Sequence, residues 1–138
     1  MDKNIIFNKI ESLRHCIERI KEKTPATPDE LLENYDLQDI ICLNLERAIQ
    51  LCVDISAHII AESNINAPTS MAESFKQLAR LNFINDQIAQ RMQKAVGFRN
   101  IAVHVYQDID WQIVYKIIKE NLSDFSEYAR CIIEKIEK

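Results

Sequence analysis

One glycine and three prolines in 138 residues is a marked shortage, since average usage gives roughly ten glycines in such a length. A sheet protein built on tight hairpins needs glycine at positive-φ turn positions, so the shortage argues for helices. It also removes the glycine-rich phosphate loops of P-loop and dinucleotide-binding enzymes. No apolar run approaches the ~18 residues of a membrane span, and no signal-peptide core stands near the start. Cys16, Cys42, Cys52 and Cys131 form no C-x-x-C pair. These absences lead to the expectation of a cytoplasmic protein with reduced thiols, no membrane association, and cysteines that pack rather than bind metal.

What is present is an ordinary globular balance, 47% hydrophobic and 28% charged residues, in a chain long enough for one domain over 1–138. Net charge is −4, which provides no overall basic field to recruit nucleic acid. The charge is uneven, however. Between Met71 and Tyr106 stand Lys76, Arg80, Arg91, Lys94 and Arg99 against only Glu73 and Asp86. This basic zone reads either as a local anion site or as a solvated helix face.

Apolar periodicity sets the architecture. Ile6, Ile10, Leu13, Ile17 and Ile20 recur at spacings of 4, 3, 4 and 3, giving a helix over about 3–23. The Thr24–Pro28 segment ends it, and Thr27 before Pro28, Asp29 and Glu30 reads as an N-cap with proline at the first helical position. Ile41, Leu45, Ala48, Cys52, Ile55 and Ile59 give a second long helix over about 36–63. Thr69 or Ser70 begins a short helix to about 80, and Asn85 caps another running toward Gly97 and beyond. Asp110 caps a last helix whose stripe is Val114, Ile118, Leu122, Phe125, Ala129, Ile132 and Ile136. The expected fold is all-α, an antiparallel helical bundle. Ile5, Ile40, Ile49 and Ile117 widen the apolar faces enough to suit a homodimer.

The informative stretch is Gly97 to Tyr106, which holds the single glycine and interleaves Arg99, Asn100, His104 and Tyr106 with small apolar residues. On a helix Asn100 and His104 share a face, so the amide can select the imidazole tautomer. Arg99 lies about 140° from His104 around an ideal helix. Three routes close that gap: a long side chain, unwinding near Val105, or a two-fold axis that brings two sets together. Gly97 fits a helix interruption or close approach by a partner. RNA carries its own nucleophile, the 2′-hydroxyl. Its cleavage needs a proton carrier near neutral pH and a fixed positive group where charge develops, which imidazole and guanidinium supply.

The eight residues Arg99-Asn100-Ile101-Ala102-Val103-His104-Val105-Tyr106 resemble the R-N-x-x-x-H-x-Y signature of the HEPN superfamily, specifically the HepT-like toxins. The likeness extends to Asp39–Ile60 with its Asn44-Leu45-Glu46 and Asp54–His58 segments. It continues through Pro68-Thr69-Ser70 to Phe75 and Leu78, and through Asp108-Ile109-Asp110. The resemblance implies a homodimeric helical bundle acting as a metal-independent ribonuclease. It would be the toxin of a type VII pair, neutralised by a minimal nucleotidyltransferase (MNT) antitoxin through AMPylation, with no cofactor of its own. It assigns Arg99 to phosphate charge, His104 to acid–base catalysis, Asn100 to orientation and Tyr106 to AMP acceptance.

Other residues carry weaker signals. Glu46 could balance Arg99 from behind the site, and Asp54 with His58 could line the same cleft or form one edge of a metal site. His15 reads as solvated, and Trp111 and Tyr115 as packing for the last helix. Lys76, Arg80, Arg91 and Lys94 could track an RNA backbone. A non-catalytic HEPN protein that binds nucleotide or docks the nucleotidyltransferase would share every motif residue; a purely structural helical adaptor would need none of them.

Overall fold

Helix starts in this chain are fixed by local side chains. The computed structural model describes residues 2–138. Asp2 caps α1 (Lys3–Lys23) and Thr27 caps α2 (Pro28–Glu33), with Pro28 at the first position. Asn34 caps α3 (Tyr35–Ala61), Ser70 caps α4 (Met71–Arg80), and Asn85 caps α5 (Asp86–His104). Each supplies a side-chain oxygen to an amide that the first turn leaves unpaired. A 3-10 turn (Tyr106–Asp108) follows α5, then α6 (Trp111–Glu120), capped by Asp110, and α7 (Ser123–Ile136).

The bundle is all-helical among the described residues, as the apolar rhythm requires. Its spine is α3, which packs against α1, α2, α4, α5 and α7. Ile41, Leu45, Ala48, Cys52, Ile55 and Ile59 are all buried. Sequestering a large aliphatic side chain of this kind contributes about 1.5–3 kcal/mol. Tyr128 of α7 is wholly buried against this stripe. Its hydroxyl donates to the Cys52 carbonyl at 3.0 Å and lies 2.6 Å from Ser56 Oγ, while its ring meets Phe75 edge-on at 5.8 Å. Cys16, Cys42 and Cys52 are buried free thiols and Cys131 is half-buried. No helix is long and apolar enough to cross a membrane among the described residues.

The structure corrects the reading of the last helix. It is two helices, not one: α6 ends at Glu120, and Asn121 and Leu122 turn the chain before α7 starts. The break lets α6 lie against α2 while α7 crosses α1, α3 and α5. Leu122 stays buried through the turn, so the stripe continues across a bend that it cannot reveal.

The end of α4 shows how a chain so poor in glycine turns a corner. Asn82 takes the left-handed conformation at φ 64°. Its amide donates to the Ala79 carbonyl, and the Phe83 amide donates to the Leu78 carbonyl, both at 3.0 Å. This is the Schellman closure with asparagine in glycine's place.

Candidate functional site

Two elements build the site: the C-terminal half of α5 with its following turn, and one partly buried, largely polar face of α3. Helix α5 runs unbroken through Gly97 to His104. Gly97 interrupts nothing; the helix ends instead at Val105 (φ −138°, ψ 54°), the point where the sequence reading allowed it to unwind. A Cβ built on Gly97 meets nothing within 4 Å, so no close approach occurs within the chain either.

Arg99 is half-buried and turns toward α3, where its Nη2 donates to Gln50 Oε1 at 3.3 Å. Gln50 Nε2 in turn donates to Asp54 Oδ1 at 2.9 Å. An uncharged amide thus stands between guanidinium and carboxylate. Glu46 does not pair with Arg99; it accepts from the Cys42 thiol at 3.6 Å. Arg99 has no ion pair among the described residues, whereas Arg80 pairs with Glu73 and Arg91 with Asp124 and Glu127. Two arginines of the basic zone are therefore engaged, while Lys76 and Lys94 remain exposed.

The side chain of His104, the last residue of α5, is exposed and has no hydrogen bond among the described residues; the Asn100 side chain is exposed on the same helix and makes none to it. Five helical positions separate Arg99 from His104, about 140° of rotation, and no unwinding intervenes to reduce it. Within one chain Arg99 turns toward α3, while the His104 side chain is exposed at the end of α5. Ile101 and Val103 between them are 45% and 44% exposed, an apolar surface around the motif.

After Val105 the chain folds back, and Tyr106 reaches across to the start of α3. Its Oη donates to Asp39 Oδ1 at 2.9 Å, and its ring meets Trp111 edge-on at 5.9 Å. Burial raises the phenol's pKa well above its ordinary value, and the Asp39 hydrogen bond and charge add to the effect. Burial likewise pushes the Cys42 thiol up to about 12, helped by the Glu46 carboxylate. Cys42 is consequently a protonated packing residue, not a nucleophile.

Asp39, Cys42, Glu46, Gln50 and Asp54 occupy one α3 face at spacings of 3, 4, 4 and 4. Cys42 is the packing thiol that sequence reasoning expects, whereas Gln50 and Asp39 are not singled out by it. Their signal was available as a run of polar positions opposite the buried stripe of α3. Gln50 and Asp54 also line an open groove of about 840 Å³ between α1 and α3, which His15 and Arg47 border. His58, one turn beyond Asp54, is half-buried, and its Nε2 has no hydrogen-bond partner among the described residues. Among the described residues no three His, Cys, Asp or Glu side chains are grouped to hold a metal. Trp111 is packed as expected, and the Tyr115 hydroxyl ties α6 to the Pro25 and Ala26 carbonyls.

Comparison with known proteins gives this geometry a context. The chain is 36% identical over 129 residues to the mRNA nuclease HepT of Shewanella oneidensis, covering 94% of this chain and 96% of that one. It is 26% identical over 128 residues to the tRNA nuclease HepT of Aphanizomenon flos-aquae, covering 93% and 87%. The solved structure of a tri-AMPylated Shewanella oneidensis HEPN toxin in complex with an MNT antitoxin superimposes with a TM-score of 0.89 at 35% identity, over 97% of this chain and 99% of that one. The model of the family described as Ribonuclease HepT-like matches residues 13–132. Motif, fold and relatives agree: this chain belongs to the HepT-like ribonuclease family.

Proposed function

We propose that the protein is the ribonuclease toxin of a HEPN/MNT toxin–antitoxin pair, active as a homodimer in the cytoplasm and silenced by AMPylation of Tyr106. The observation that carries the catalytic reading is the state of Arg99. A half-buried guanidinium, oriented by one neutral hydrogen bond and free of carboxylate partners among the described residues, keeps its charge and remaining N–H groups for a phosphodiester. In this reading the RNA 2′-hydroxyl attacks the adjacent phosphorus, His104 carries the proton, Arg99 stabilises the charge that develops, and Asn100 helps to orient the bound RNA. The chemistry requires no metal.

In this reading a second copy closes the rotation between Arg99 and His104. A two-fold axis beside the end of α5 lets Arg99 of one subunit and His104 of the other face a shared crevice, and burial of Ile101 and Val103 contributes to the contact. The Shewanella toxin, described as tri-AMPylated and bound to an MNT antitoxin, supports both the modification and the partner. AMP on Tyr106 would add bulk and negative charge two residues from His104. The same rotation favours a second reading, in which the chain is a non-catalytic, nucleotide-binding or docking partner of the nucleotidyltransferase.

Purified, unmodified protein incubated with mRNA and tRNA, with and without chelator, separates these readings. Cleavage that survives chelation and disappears in His104→Ala supports the nuclease; absence of cleavage in the unmodified dimer supports the docking partner.

A further inference from the structure

We propose that Asp39 is the carboxylate that receives the Tyr106 proton when the tyrosine oxygen attacks ATP. The inference rests on the reading of Tyr106 as the AMP acceptor and names the group within this chain that prepares it.

A phenol is a weak nucleophile while it keeps its proton, so transfer requires a base within hydrogen-bond reach. The Tyr106 hydroxyl donates to Asp39 Oδ1 at 2.9 Å across 67 residues of sequence. Trp111 holds the ring edge-on, and the turn that carries it is closed by the Asp108 amide on the Val105 carbonyl at 2.8 Å. Nucleophile, base and orienting group are therefore assembled before any partner arrives. The neighbours on α3 do not compete for the role: Glu46 is engaged by the Cys42 thiol, and Cys42 itself stays protonated. Both Tyr106 and Asp39 are exposed, so an incoming nucleotide has access to them. The bond to a carboxylate fixes the direction of the hydroxyl and the path open to its proton.

The step balances as follows. The Tyr106 oxygen forms a bond to the α-phosphorus of ATP, held by the partner nucleotidyltransferase, and the bond from that phosphorus to the β-phosphate oxygen breaks. The electron pair leaves with pyrophosphate, and the phenol proton passes to Asp39 Oδ1.

The test follows AMP addition by intact mass in the complex of toxin and nucleotidyltransferase supplied with ATP and magnesium. Asp39→Asn is informative because the amide oxygen still accepts the phenol hydrogen bond but cannot take its proton. We expect a ~10²–10⁴-fold slower addition, with helix content and complex formation retained. Modification of Asp39→Asn at the wild-type rate overturns the assignment. If peptide mapping of the wild type finds AMP on another residue, the acceptor reading itself has failed, and the role of Asp39 falls with it.

Discussion

Arg99 reaches Asp54 only through Gln50: the guanidinium donates to the amide oxygen at 3.3 Å, and the amide nitrogen donates to the carboxylate at 2.9 Å. A direct Arg–carboxylate contact at 4 Å would be worth about 4 kcal/mol in a partly screened setting, and a phosphate would have to compete with it. The amide fixes the direction of Arg99 without consuming its charge.

Gln50→Glu tests this relationship because it keeps the size and places a carboxylate on Arg99. RNA cleavage should fall at least about tenfold, equivalent to roughly 1.4 kcal/mol, and should weaken further at low salt, where the new ion pair is least screened. Initial rates across a salt series provide the measurement. Cleavage unaffected by the substitution would show that Arg99 does not meet the phosphate.

His104→Ala should abolish cleavage while leaving helix content and the dimer intact, since the side chain is exposed and makes no hydrogen bond among the described residues. Circular dichroism, light scattering and an RNA-cleavage assay on the same preparation check all three outcomes.

Tyr106→Phe keeps the ring against Trp111 and removes the acceptor oxygen. Cells should remain growth-arrested even when the nucleotidyltransferase is co-expressed, and the protein's mass should show no added AMP. Rescue by the antitoxin would mean that silencing proceeds by another route.

Tyr128 supplies a pH-dependent prediction. Burial raises its pKa well above the ordinary value near 10. The folded state thus holds a proton that the unfolded chain releases first, and stability is complete below about pH 10 and falls above it. Tyr128→Phe should cost about 1–2 kcal/mol at neutral pH through its lost hydrogen bonds, with Ser56 still satisfied by the Cys52 carbonyl at 2.9 Å. Its alkaline decline should be shallower than that of the wild type, as thermal melts at pH 7 and above pH 10 would record.

Gly97→Ala should stabilise the isolated chain by about 1 kcal/mol, because the position is exposed, helical and open around the added methyl. Thermal unfolding should shift upward by about 4 °C. Lower RNA cleavage alongside that higher melting point would assign the glycine to a close approach between two copies.

Features set by neighbours in sequence were legible without a structure. Thr27 with Pro28, Asn85 and Asp110 act within four residues of themselves, and the α3 stripe is buried as its spacing requires. The bend at Asn121 was not legible, because apolar spacing continues across it and only the separate packing of α6 and α7 produces the break. The partner of Arg99 was hidden for a similar reason. Gln50 lies 49 residues away, and nothing in the amide's own surroundings distinguishes it from a solvated glutamine. Glu46 and Gln50 share a face one turn apart, so the choice between them depends on how α5 is seated on α3.

The halt of α5 at His104 separates two mechanical jobs. In the proposed reading the cutting groups, Arg99 and His104, ride on a nineteen-residue rod, while Tyr106 sits on a three-residue loop of winding beyond its tip. On that reading a nucleotide attached to Tyr106 would load the loop beyond the rod and not the helix that carries Arg99 and His104.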